Sequence, residues 1–148
     1  MSKLDLMIDN TVKWSKNHLN SEKYIMKCLS FVEDALEISN GIEIYGGDTA
    51  KESADLYADS IYDGEPPRGS FVFYDCKGEI NDKLDNWGHI GFSIGDGKII
   101  HSWGHIRIDN YLGVEKLEGS DTWESPSYIG WVPLDRVLIG YRKKEICV

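Results

Sequence analysis

Gly88-His89-Ile90-Gly91-Phe92-Ser93-Ile94-Gly95-Asp96-Gly97-Lys98-Ile99-Ile100-His101-Ser102-Trp103 decides the fold. Apolar residues flank a Gly-Asp-Gly centre on both sides, which predicts two antiparallel strands, His89 to Ile94 and Lys98 to Trp103, joined by a tight turn. Loop length sets the pairing, and a slip of one residue sends every side chain to the other face. With a two-residue loop, Asp96-Gly97, position 101 pairs with 92 and the two histidines stand on opposite faces. With the three-residue loop Gly95-Asp96-Gly97, position 101 pairs with 91 and 89 with 103. His89 and His101 then share a face as diagonal neighbours roughly 7 to 8 Å apart. That second register also gathers Ile90, Phe92, Ile94 and Ile100 on the opposite face and leaves Gly91 as the small residue beside His101. It accounts for the apolar pattern and the histidine pair together, so it is the expected one.

Upstream of this ribbon the texture is helical. Leu4, Met7, Ile8 and Val12 recur at helical spacing, as do Ile25, Leu29, Val32 and Leu36, and Asn40-Gly41 supplies a stop for the second run. Thr49 with Glu52 reads as a capping box opening a third helix through Ala54, Leu56, Tyr57 and Ile61. The turn-rich stretch Gly64 to Gly69 divides this half from a β-type half. Strands are expected at Phe71 to Tyr74, in the ribbon, at Ile106 to Ile108, at Ile129 to Val132 and at Val137 to Tyr141, with the charged segment Lys77 to Asn86 as a loop. Helices first and an antiparallel sheet afterwards make an α+β fold, expected as one domain over residues 1–148.

Sixteen basic against twenty-five acidic side chains leave a formal charge of −9, which repels phosphate backbones and anionic membrane surfaces. Neither nucleic acid nor a membrane is an expected partner. The first ten residues lack the basic, apolar and small-residue order of a secretory signal, and no apolar run reaches the roughly 20 residues of a membrane span. A cytoplasmic product is expected, with a leaderless or phage-type route as the means of any export. Cys28, Cys76 and Cys147 are too few and too scattered for a disulfide framework or paired metal knuckles, so free thiols are expected and no cofactor or metal.

A nucleophilic cysteine needs a base, and the base needs a partner to fix its tautomer. Of the four histidines, His18 lies in a polar helix end and His105 opens a new strand after Gly104, which leaves His89 and His101. Cys28 lies near the start of the second amphipathic segment, where it is either a plain core cysteine or a thiol activated by a helix N-terminus and by Lys27. A helix beginning at Ser21 would put Cys28 beyond that influence. A zinc set of Cys76, His101 and His105 is a weaker reading, because Gly104 interrupts the strand and no paired cysteines complete a tetrahedron.

A helical cysteine followed by Phe31-Val32, then Pro66 to Phe73 leading into a strand, then Gly88-His89-Ile90-Gly91 through His101, resembles the NlpC-like cell-wall peptidases of the papain-type fold. CHAP amidases share the cysteine-histidine order. The resemblance covers roughly residues 24 to 103 and implies a papain-like fold with Cys28 as nucleophile, His89 as general base and His101 as its orienting partner. It implies substrate contacts at Tyr24, Lys27 and Trp103, and hydrolysis of an amide bond in a peptidoglycan stem peptide or another peptide. Lys27-Cys28-Leu29-Ser30 stands where the family carries Asp-Cys-Ser-Gly. A second expectation is a catalytically inactive papain-fold module binding a cell-wall or peptide ligand, with Trp103, Trp123, Tyr128 and Trp131 as its aromatic surface.

Overall fold

The computed structural model describes residues 2–144. Along the chain run α1 (Lys3–Lys16), α2 (Cys28–Asn40), β1 (Ile42–Glu43), α3 (Ala50–Leu56), β2 (Phe71–Asp75), β3 (Lys77–Ile80) and β4 (Lys83–Asn86). They are followed by β5 (His89–Gly95), β6 (Lys98–Trp103), β7 (His105–Asn110), β8 (Ser127–Val132), α4 (Leu134–Val137) and β9 (Arg142–Lys143). Five strands form one antiparallel sheet in the order β7-β6-β5-β2-β8, and β1-β9 and β3-β4 make separate two-stranded ribbons. The architecture is α+β, helices first.

Alternation along the strands gives the sheet two different faces. Phe73, Ile90, Phe92, Ile100 and Ile106 point toward the helices and close on Phe31, Val32 and Leu36 of α2 and on Met7, Ile8 and Val12 of α1. Val72, Tyr74 and Ile99 point the other way, under Val114, Tyr111, Leu117, Tyr128 and Trp131. His89 and His101 belong to this second face, one residue out of step with Ile90 and Ile100.

The ribbon's register is the one expected, reached by a different device. His101 pairs with Gly91 and Ile100 with Phe92, but Lys98 pairs with Gly95, so the connection is the two-residue turn Asp96-Gly97. Both turn residues have positive φ, 56° and 73°, as a type I′ hairpin turn requires. A β-bulge between Ser93 and Gly95 inserts Ile94 as the extra residue and shifts the pairing back by one. Without the bulge, that turn would have put the histidines on opposite faces.

Three other expectations are corrected. The second helix does not run through Ile25: Lys23 to Met26 is turn, Ile25 is exposed, and α2 starts at Cys28. Asn20 and Met26, with φ of 70° and 60°, bend the chain there. Lys77 to Asn86 is not a loop but the β3-β4 ribbon, whose turn residues Asn81 and Asp82 both take positive φ. Residues 137–141 are not a strand, because Pro133 opens the short helix α4 and Leu138 closes it. Gly41 ends α2 in the left-handed region and Thr49 caps α3 through its hydroxyl, both as the residue types predict.

Candidate active site

Cys28 is the first residue of α2, with Lys27 at the N-cap and no side chain capping the helix. The amide groups of the first turn are therefore not consumed by a cap, and no acidic residue stands among them. The preceding segment is pinned to the sheet: Asn20 N–H donates to Ile106 O at 2.8 Å, Ile106 N–H donates to Ser21 O at 3.0 Å, and Ser102 Oγ donates to Tyr24 O at 2.7 Å. These bonds deliver the helix start to the end of the sheet where β5 begins. There the amide groups of Ile90, Leu29 and Cys28 itself lie against the sulfur and favour its thiolate. Burial outweighs them and pushes the thiol up to about 11.

Cys28 and His89 line the same cleft, of about 420 Å³. Trp87, Trp103 and Trp123 form its aromatic wall, Met26 and Ile80 add apolar surface, and Lys27, Asp48 and Glu118 are its charged side chains. The thiol approaches from the helix side of the sheet and the imidazole from the opposite side, at the mouth where β5 starts. Among the described residues no hydrogen bond joins them in this resting arrangement.

Behind His89 runs a chain of short contacts. His89 Nε2 is 2.7 Å from His101 Nδ1, and His101 Nε2 is 2.7 Å from Asp109 Oδ2. Arg107 grips the carboxylate with Nε donating to Oδ2 at 2.7 Å and a terminal nitrogen donating to Oδ1 at 3.1 Å. Among the described residues no hydrogen bond engages His89 Nδ1 and no buried side-chain nitrogen lacks a partner, so that nitrogen opens on the cleft. Burial above all holds His89 well below the ordinary imidazole value, with repulsion from His101 adding to it. Burial likewise lowers His101, against the pull of Asp109. The His101 contact, joined by Arg107, brings the Asp109 carboxyl down to about 2 despite its burial.

The two histidines named from sequence are thus brought together, and Cys28, Lys27 and Trp103 share the cleft that His89 lines. Trp103 stands edge-on to the His89 ring with centroids 5.3 Å apart. Tyr24 does not join the cleft lining; it is buried, its hydroxyl donates to Asp34 Oδ2 at 2.7 Å, and its carbonyl holds Ser102. Of the aromatic surface, Trp123 reaches the cleft, whereas Tyr128 and Trp131 cover the second face of the sheet. The zinc set is not assembled: both nitrogens of His101 are taken, and no group of three ligating side chains is poised for a metal among the described residues. Cys76 is buried at the cleft wall, its thiol donating to Glu124 O at 3.5 Å. Cys147 lies outside the described residues.

Asp109 and Arg107 escaped the sequence reading, although a signal for them exists. In the β6-β7 hairpin His101 pairs with Arg107, so Asp109, two positions on, is a diagonal neighbour on the same face. Compared with models of known protein families and with curated proteins, the chain matches none.

Proposed function

We propose that the protein is a cysteine hydrolase that cleaves an amide bond, with Cys28 as nucleophile, His89 as general base and acid, and His101 orienting His89. The observation that carries this is the 2.7 Å imidazole–imidazole contact, which leaves one free nitrogen of His89 facing the cleft shared with a thiol at a helix N-terminus. Since burial favours the neutral form of both partners, the thiolate arises at the moment of attack rather than as a standing ion pair. His89 takes the thiol proton as sulfur bonds to the carbonyl carbon, and the amides at the start of α2, which no side chain caps, receive the oxyanion. His89 then returns the proton to the leaving nitrogen as the C–N bond breaks. Water, deprotonated by His89, attacks the thioester, releasing the carboxylic acid and restoring the thiol.

The substrate class rests on the resemblance to NlpC-like peptidases of the papain-type fold, which points to peptidoglycan stem peptides. Purified muropeptides incubated with the protein, with products read by mass, test it. Cleavage that disappears in a folded Cys28→Ala variant is expected, and unchanged cleavage by that variant overturns the mechanism. The tryptophan wall and the raised thiol favour one alternative, a binding module of the same fold without turnover. Iodoacetamide separates the two: Cys28 labelling near neutral pH that slows in a folded His89→Ala variant supports the enzyme, and labelling indifferent to that change supports the module.

A further inference from the structure

We infer that Asp109, clamped by Arg107, is a positioning residue that sets the tautomer of both imidazoles and thereby decides which nitrogen of His89 serves as base; this rests on the proposed roles of Cys28 and His89. The argument begins at the far strand. Arg107 is always charged and donates both of its contacts to the Asp109 carboxylate, one to each oxygen. An ionised carboxylate only accepts, so the proton in the 2.7 Å contact with His101 sits on His101 Nε2. A neutral imidazole carries one N–H, and His101 Nδ1 is therefore an acceptor. The next 2.7 Å contact then places a proton on His89 Nε2. What remains is the lone pair on His89 Nδ1, the nitrogen that opens on the cleft that Cys28 also lines.

The reverse polarity would require either a neutral Asp109 acid donating to His101, which two guanidinium contacts oppose, or a doubly protonated His101 donating from both nitrogens, which its complete burial disfavours. Burial makes the arrangement durable, since His101 is 0% exposed and His89 2%. Other titratable groups nearby do not compete. Tyr74 on β2 turns its hydroxyl to Tyr111 O at 2.7 Å, and His105 on the same strand as Asp109 acts on His101 only through space. The bond polarity is thus anchored on β7 and carried across β6 to β5.

The direct test is the imidazole 15N spectrum of the full chain near neutral pH, read through two- and three-bond proton couplings. The expected result is Nε2–H with unprotonated Nδ1 for both His89 and His101. A proton on Nδ1 of either ring overturns the assignment, and no variant is needed to see it. In Asp109→Ala and Asp109→Asn the uniform Nε2–H pattern should be lost and the iodoacetamide rate at Cys28 should fall roughly tenfold or more. Asp109→Glu should restore part of both. An Asp109→Ala protein that keeps the wild-type tautomers and labels within about twofold of wild type overturns the proposal. The expected tautomers in a protein whose Cys28 labels equally fast with His89 and in the His89→Ala variant would sustain Asp109 and overturn the hydrolase, so the two failures are distinguishable.

Discussion

Replacing Gly91 by alanine adds one methyl group on the histidine face of the sheet, between His101 and Ile99. The new carbon would stand 3.3 Å from His101 Cβ and 3.3 Å from Ile99 Cβ, with Ile99 Cδ1 closer still. Gly91 is not among the residues at positive φ, so alanine suits its backbone and the effect is steric alone. Ile99 Cδ1 can swing, but Ile99 is fully buried with Val72, Tyr74 and Val114 and has little free space to enter. His101 Cβ is fixed to β6 and moves only with the strand. Overpacking of this kind costs about 1–3 kcal/mol, and the smaller entropy of the unfolded alanine chain returns about 0.4–1 kcal/mol. The net loss is at most about 2.6 kcal/mol, so a domain of ordinary stability stays overwhelmingly folded. A shift of His101 by a few tenths of an ångström nevertheless strains a contact now at 2.7 Å. Urea unfolding should show a lowered midpoint with an unchanged slope, while the iodoacetamide rate at Cys28 falls roughly tenfold. A variant destabilised as calculated but labelled at the wild-type rate would refute the idea that His101's position governs the thiol.

Acid should unfold the protein through its buried imidazoles first. His89 and His101 are held below the ordinary imidazole value of 6.5, so as pH falls through 6.5 the unfolded chain takes up protons that the native state refuses, and stability is lost. Asp109, lowered from 3.8 to about 2, adds a second loss only as pH drops below 3.8. Urea midpoints measured from pH 7.5 to 4.5 should decline, and His101→Asn should flatten the decline; an equal slope in that variant would place the sensitivity elsewhere. Glu33 works in the opposite sense. Burial, with Glu37, Asp34 and Asp48 around it, pushes its carboxyl from 4.5 up to about 7, so its contribution is present below pH 4.5 and is lost as pH rises through 7. Glu33→Gln should therefore raise the Tm at pH 8 and change it little at pH 4, and equal shifts at both would show that charge is not the cause.

How far the site could be read from sequence depended on where apolar alternation was strong. Ile90, Phe92 and Ile100 are 0% exposed, and once they are assigned to the helix side the histidines must share the other side. The favoured Asp-Gly turn argued for the opposite register, and the extra residue Ile94 reconciled them, so hydrophobic burial overrode turn preference through a bulge. Where alternation was weak, local signals misled. Lys77-Gly78-Glu79-Ile80 and Lys83-Leu84-Asp85-Asn86 carry too few apolar residues to announce a ribbon, which is held by its ladder, by Trp123 lying over Gly78, and by Trp87 Nε1 donating to Gly78 O at 2.9 Å. Ile25 continued a helical period that the left-handed Met26 breaks, and this break is what puts Cys28 in the first turn of α2, where its own amide and that of Leu29 can face the sulfur. Asp109 is hidden for another reason: it sits one hairpin further along the chain than the histidine pair. Trp103-Gly104-His105 closes a second hairpin in which 101 opposes 107, and the diagonal rule that joins His89 to His101 joins His101 to Asp109 by the same geometry. A carboxylate two positions beyond the partner of a buried histidine is therefore a readable sign of the group that polarises it, provided each turn is counted together with its bulge.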